Sequence, residues 1–411
     1  MILREIIEQV IRDRGPIPFS SYMELCLYHP DLGYYSKNAE QFGKAGDFFT
    51  SSDVHAVFGR LLARQFEQMW RLLGSASQIE ILELGPGRGL FAKDVLDWSA
   101  KKFPEFFRCL HYTLIERSPA LLQKLQQTLA SYVESGEVSI PQGPKPNDRD
   151  PKGTTEAAPG PSSNNEEVGK GTSSVMPGEI EISRALAPEV PLIIFANEFF
   201  DALPVEIVSP KGQLQISLQD GKLTEGWASV SPEQLEFLDR CSVHPESGER
   251  LEVALTAQSY ARNAASTIQK GFLVVIDYGY TRDEQLAGRH RGTLKALRQH
   301  SVSANPYQAP GEQDITADVN FTALAIAIEQ SGITSQSLRT QSQFLMGVGQ
   351  NNQFADVFEE CRAPQERAKV ALQLKHLITP AGMGESFHVM VGSKGLDPTA
   401  VAKLAGLSFG R

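Results

Sequence analysis

An acid and three alternating glycines, Glu83-Leu84-Gly85-Pro86-Gly87-Arg88-Gly89, follow the mostly apolar run Ile79 to Leu82. A buried strand that turns sharply into a helix needs positive backbone angles and close approach to a ligand, and a Cβ obstructs both. Leu90 to Leu96 then supplies the helix. A nicotinamide dinucleotide turn, G-x-G-x-x-G, would place its third glycine at position 90; that residue is Leu90, and the third glycine is Gly89. The spacing suits S-adenosylmethionine, which sets no pyrophosphate on the helix N-terminus. Gly85, Gly87 and Gly89 would pack against its methionine half, and Glu83 would draw its ammonium. A second acid, Glu116, ends the apolar run Leu110 to Ile115, where a doubly wound sheet places the carboxylate that binds two ribose hydroxyls. The bland alternatives are an ordinary strand-to-helix turn and a surface Glu ahead of the helix start Ser118-Pro119.

Further polar groups sit where such a sheet would expose them. Asn197-Glu198-Phe199-Phe200-Asp201-Ala202-Leu203-Pro204 lies directly after the strand-like run Pro191 to Ala196, and ligand sites in open parallel sheets lie outside such ends. Asp47, Thr50 and Ser51, on a glycine- and aromatic-rich loop, are placed to form a lid over the cofactor, with local turn bonding as the alternative. Asp277 ends a later strand and either lines the cleft or caps a turn. The eight histidines are spread along the chain with no i, i+4 pair, so no metal site is expected.

The elements that must hold these residues alternate between strand and helix. Helical spacing over Ile2 to Ile11 and a helix opening at Ser20-Ser21 form an N-terminal cap, residues 1–75 with the glycine-rich loop. A helix from about Val54 to Leu73 leads into the glycine-turn strand, and Asp97 to Phe107 is expected to be a helix end and loop. The domain proper covers residues 76–411. Between Gln142 and Gly178 the composition turns to Pro, Gly, Ser, Asn, Lys and Glu, and such a segment is expected to be disordered and dispensable. Val205 to Val208, Gln213 to Leu218 and Leu223 to Val230, separated by turn residues, predict an antiparallel meander inside an inserted lobe, residues 205–260. A helix over Thr256 to Ile268, a strand at Phe272 to Ile276, helices at Phe321 to Gln330 and Ala363 to Leu377, and a closing strand at Phe387 to Val391 complete the pattern.

At 411 residues and 41% apolar content, the chain has the makings of an ordinary globular core. No apolar run reaches the ~18 residues of a membrane span. The N-terminus carries Glu5, Glu8 and Asp13, unlike an acid-poor transit peptide, so a cytoplasmic and bacterial protein is expected. Cys26, Cys109, Cys241 and Cys361 are scattered, which disfavours zinc and disulfides and suggests buried apolar residues. A net charge of −10 disfavours adhesion to nucleic acid and is compatible with a cationic substrate.

Taken together the segments resemble the MidA-like family of class I methyltransferases, relatives of a mitochondrial complex I assembly factor that methylates arginine. The matching pieces are Gly33-Tyr34-Tyr35, Gly46-Asp47-Phe48 with Thr50-Ser51, the turn Glu83 to Gly89, Glu116, Asn197 to Pro204, Ile276-Asp277-Tyr278-Gly279, Gly292-Thr293-Leu294 and Asp314-Ile315-Thr316-Ala317-Asp318. The resemblance implies an α/β fold: a class I, Rossmann-like sheet with an N-terminal helical cap and an inserted α+β substrate lobe. It also implies methyl transfer from S-adenosylmethionine to arginine of a partner protein, with a respiratory-complex subunit as the candidate partner. An arginine acceptor stays protonated at any ordinary pH and must be held by carboxylates. Glu198 and Asp201, three apart on a turn, are the expected pair, with Asn197 orienting the acceptor or closing the donor pocket; a helix-start cap is the alternative. The contrasting function is an assembly factor that binds the cofactor and holds a partner subunit with little methyl transfer.

Overall fold

The computed structural model describes residues 2–37, 56–141, 190–298, 301–303 and 305–410. The expected lid residues Asp47, Thr50 and Ser51 and the insertion 142–178 lie outside the described residues.

The main sheet has nine strands, of which seven lie in one continuous order: β1 (Ile79–Leu84), β2 (Leu110–Ile115), β3 (Val138–Ser139), β4 (Leu192–Asn197), β5 (Gly271–Tyr280), β6 (Thr334–Ser335) and β7 (Phe387–Lys394); the short strands Val319–Asn320 and Arg339–Thr340 pair with β5 and β7. Their order is β6-β7-β5-β4-β1-β2-β3. From β5 to β3 the neighbours run parallel, and β7 lies antiparallel to β5 over eight residue pairs, Gly271↔Lys394 to Tyr278↔Phe387. The inner strands are nearly continuous apolar runs because helices cover both faces. The chain steps outward from β1 to β3 and then returns to β4 on the other side of β1. The topological switch therefore falls between β1 and β4, whose carboxyl ends carry the glycine turn and Asn197.

Packing on the first face centres on Phe195, which stacks on Phe91 with ring centroids 4.5 Å apart and meets Phe66 edge-on at 5.5 Å. Those rings come from helices Val57–Leu72 and Leu90–Lys102. On the second face, helices Leu255–Thr267 and Phe321–Glu329 cover Leu82, Leu84, Ile194 and Leu273. Each fully buried Leu or Phe contributes roughly 1.5–3 kcal/mol.

The N-terminal helices Leu3–Arg14 and Phe19–Tyr28 pack on the inserted lobe. Between them Ile17–Pro18 adds a strand to the inserted antiparallel sheet, pairing Ile17 with Ile216 and Pro18 with Gln215. Helices and lobe share one core containing Leu3, Ile7, Phe19, Met23, Ile207, Leu214 and Ile216. The meander follows the expected order, with strands at Glu206–Ser209, Gly212–Gln219 and Lys222–Ala228. The stretch Asp97 to Phe107, expected as a helix end and loop, is a helix end followed by a second helix: Leu90–Lys102 runs on past Asp97, which pairs with Lys93 four residues earlier, and Pro104 starts a helix to Cys109 where the loop was expected. Pro at the first helical position gives up no needed hydrogen bond, which is why that restart succeeds. Cys26 and Cys241 are buried as expected, whereas Cys109 and Cys361 are partly exposed.

Candidate active site

Gly85, Gly87 and Gly89 adopt φ of +64°, +56° and +75°, as the turn out of β1 demands. A Cβ on Gly85 would stand 2.8 Å from the Phe199 ring, so this glycine lets the two switch-point turns pack together. At Gly87 the space a Cβ would take is open. That open, backbone-lined notch fits the methionine half of S-adenosylmethionine.

Glu116 leaves the end of β2 half-buried and reaches back to the notch. Its Oε2 accepts from the Gly87 amide at 3.2 Å and its Oε1 from the Ser118 amide at 2.8 Å. It is not the cap of the next helix. That role belongs to Ser118, whose Oγ accepts from the Leu121 amide. Burial pushes the Glu116 carboxyl up to about 7, against its backbone donors. A carboxylate accepts more than two hydrogen bonds, so capacity for two ribose hydroxyls remains.

Glu83 lies deeper than the sequence suggests. It is 4% exposed and accepts from the Tyr112 phenol at 2.9 Å. Burial pushes its carboxyl up to about 8, and the nearby Glu116 adds to the rise. A cationic group entering the notch would relieve both acids, which is the chemistry expected of a ligand ammonium.

The turn beyond β4 is built by an acid from the next strand. Asp277, fully buried within β5, accepts through Oδ2 from the amides of Phe199, Phe200 and Asp201 at 3.1, 3.0 and 3.4 Å. Those donors define a nest around one carboxylate oxygen, and Glu198 enters it with φ +50°, in the left-handed region. Residues 198–203 form a turn rather than a helix start, so helix capping by Asn197 does not occur. Instead the Asn197 Nδ2 donates to Glu198 Oε1 at 3.1 Å. Asp277, expected to end its strand and either line the cleft or cap the turn after it, lies within β5, which runs on to Tyr280, and holds the turn beyond β4 instead. Burial and the neighbouring Asp201 and Glu198 charges raise its carboxyl well above the usual range.

Asp201 is 3% exposed. Its Oδ2 accepts from the Tyr278 phenol at 2.5 Å, and the backbone amides of Asp201 and Ala202 approach its carboxylate. Burial raises its carboxyl to about 6. Three contributors were not foreseen as site residues: Tyr278, Asp314 and Tyr35, the last donating to Asp314 Oδ1 at 3.0 Å. The signal was present, since all three lie in segments singled out for their pattern, but only the fold shows that they meet. A separate cavity of about 490 Å³ lies in the lobe beside Ile207, Leu214 and Leu294. Its acids are engaged internally, Glu225 by the Arg250 fork and Glu252 by the amides of Thr293 and Leu294. Among the described residues no His/Cys/Asp/Glu cluster could hold a metal.

A parallel sheet with an antiparallel strand inserted beside β5, a glycine turn at its switch point and a carboxylate at the end of the next strand define a class I methyltransferase. Residues 61–338 match the profile of a family described as S-adenosyl-L-methionine-dependent methyltransferases. The chain belongs to that family and is an S-adenosylmethionine-dependent methyltransferase. Similar curated proteins are named protein arginine methyltransferase NDUFAF7, mitochondrial, or its homolog. The Drosophila melanogaster protein is 30% identical over 78% of this chain and 69% of its own length. The Homo sapiens protein is 26% identical over 92% and 80%. A crystal structure from Burkholderia thailandensis, bound to S-adenosyl-homocysteine, superposes with TM-score 0.75 at 24% identity, covering 98% of this chain and 94% of that one. That likeness confirms the fold.

Proposed function

We propose that this enzyme transfers a methyl group to a guanidinium nitrogen of arginine in a partner protein. The observation that carries the reading is Asp201: a buried carboxylate on the turn that packs against the glycine turn, with no ion pair to a described basic residue. Buried acids of that kind are costly unless a cation arrives. The names of the similar mitochondrial proteins support arginine as that cation.

The methyl donor supplies a carbon on a cationic sulfur, and the protein's part is to place and polarise the acceptor. Gly87 leaves room for the donor, and Glu83 and Glu116 offset its ammonium and bind its ribose. Asp201 and Glu198 hold the acceptor's positive charge, while Asn197, tied to Glu198, fixes the wall between the two pockets. A guanidinium nitrogen that gains a methyl gives up a proton, and the raised basicity of Asp201 suits it to take that proton. Asp47, Thr50 and Ser51 are kept as the proposed lid. A cytoplasmic site of action accords with four free cysteines.

The test uses tritiated methyl donor, the purified enzyme and a lysate of unmethylated proteins, followed by acid hydrolysis. Label is expected in methylarginine, and it should vanish with Gly87→Val and Glu198→Ala. Label in another amino acid would overturn the arginine assignment, and a bound partner with no label would favour an assembly factor.

A further inference from the structure

We infer that Lys295 and Asp318 are a positioning pair for the acceptor acid, a cation and an anion that act on Asp201 through Tyr278 and set the charge with which it meets the acceptor. This rests on the arginine reading above and names two residues that regulate its site.

The pair stands behind the phenol that holds Asp201. Tyr278 donates to Asp201 Oδ2 at 2.5 Å, and the Lys295 ammonium lies over the Tyr278 ring, 5.4 Å from its centroid. The same ammonium donates to Asp318 Oδ1 at 2.9 Å, while Asp318 Oδ2 lies 3.3 Å from His290 Nδ1. Backbone bonds fix both partners. The Asp318 amide donates to Thr293 Oγ1 at 3.1 Å, and the Ala317 amide, one residue earlier, donates to the Asp201 carbonyl at 3.0 Å. Lys295 opens the strand Lys295–Arg298 and pairs there with Thr316. Side chains alternate along an extended segment, so Thr293 and Lys295 reach Asp318 while Leu294 and Ala296 turn to the lobe cavity.

Stability does not account for this arrangement. Lys295 keeps 45% of its side chain exposed, and an ion pair that open contributes little to folding. His290 takes a left-handed backbone, φ +52°, and stacks on Tyr280 with ring centroids 5.2 Å apart, a strained placement of the kind that clusters at functional sites. Electrostatics supply the reason. Around Asp201 stand the acids Asp277 and Glu198 at the turn and Asp314 and Asp318 from the lobe side, with the phenols of Tyr28, Tyr35 and Tyr278 between them. Arg117 lies beyond the Tyr28 ring and His290 beyond Asp318. The Asp318 charge raises the Asp201 carboxyl, and Lys295 is the cation paired with that charge. Removing one member of the pair therefore changes the proton affinity of Asp201 in the direction opposite to removing the other.

The experiment is calorimetry on the full chain saturated with S-adenosyl-homocysteine, titrated from pH 5 to 8 with N-acetyl-arginine methylamide as the arginine probe. Ionised Asp201 attracts the probe and protonated Asp201 does not, so wild-type affinity should fall as pH drops through about 6. Lys295→Met leaves the Asp318 charge uncompensated and should move that midpoint up by about half a pH unit or more. Asp318→Asn should move it down by a similar amount, and the double variant should restore it. Lys295→Arg keeps the cation and should leave the midpoint in place. Binding of S-adenosyl-homocysteine within about twofold of wild type shows that each variant folds. Coincident midpoints, or midpoints that move the same way in Lys295→Met and Asp318→Asn, would overturn the pair, because a merely structural role produces no opposite signs. Wild type that binds the citrulline analogue as tightly as the arginine probe would sink the parent reading instead.

Discussion

Glu83 makes the ligand-free enzyme sensitive to pH in a direction that can be worked out in advance. Its carboxyl is 4% exposed and is pushed from 4.5 up to about 8, chiefly by burial. The folded protein therefore holds this proton more tightly than the unfolded chain does. The stabilisation is complete below about pH 4.5 and is lost as pH rises through about 8, at a slope of up to ~1.4 kcal/mol per pH unit between those values. Over the whole window the loss from this one group approaches about 5 kcal/mol. Glu83→Gln keeps the shape and an oxygen for the Tyr112 phenol but cannot ionise. Urea denaturation of both proteins without ligand, at pH 5, 6, 7 and 8, isolates the effect, because Glu116 and Asp201 titrate in both. The variant should lie near wild type at pH 5 and gain on it by roughly 3 kcal/mol or more at pH 8. Parallel pH profiles, with the difference constant to about 0.5 kcal/mol, would refute the argument that Glu83 sits neutral and buried beneath the turn.

Other expectations follow from single contacts. Asp277→Ala removes the oxygen that holds three turn amides, so stability should fall by about 2–4 kcal/mol in urea titrations and methyl transfer should drop at least a hundredfold. Phe91→Ala breaks the 4.5 Å stack on Phe195 in the core and should cost about 3–5 kcal/mol by the same measurement. With the acceptor limiting, so that rates report kcat/KM of the free enzyme, methyl transfer should fall as pH drops through the raised value of Asp201, about 6, since protonation removes both its charge and its basicity. Initial rates from pH 5 to 8 check this. An acid limb at an ordinary carboxylate value, near 4, would move the proton acceptor elsewhere.

Much of the framework was legible because it depends on local pattern. The inner strands are buried on both faces, so Ile79 to Leu82, Pro191 to Ala196 and Phe272 to Ile276 stand out as apolar runs, and punctuation by Gly and Pro marked the meander. Burial of Glu83 was not legible, since the residue that covers it, Tyr112, comes from the neighbouring strand and no local rule pairs them. Asp277 is similar: its three partners lie 76 to 78 positions earlier in the chain. The strand at Ile17–Pro18 was hidden by its brevity and its proline, which the sheet edge tolerates. Tyr35 belongs to the pattern Gly33-Tyr34-Tyr35, which by itself assigns it no role. Its neighbour Gly33 explains the placement, because a Cβ there would stand 2.6 Å from the backbone of Leu27 and His29, so glycine lets the chain fold back against the end of the helix.

That fold-back also couples the two halves of the site. The Ser118 hydroxyl donates to the Tyr35 carbonyl at 2.7 Å, and the Ser118 amide donates to Glu116, the acid assigned to the ribose. The Tyr35 phenol in turn donates to Asp314. A donor settling on Glu116 therefore orders Ser118, and through it the backbone that aims Tyr35 at Asp314. Ile315, next to Asp314, packs in the same core as the N-terminal helices, so those helices also support the strand that begins with Asp314. Donor binding at Glu116 is therefore expected to preorganise the acceptor side, and Ser118→Ala should loosen that coupling. The expected outcome is that saturating S-adenosyl-homocysteine tightens wild-type affinity for the arginine probe severalfold, while the variant shows less than half that enhancement. Equal enhancement in both proteins would mean that the two pockets communicate by another route.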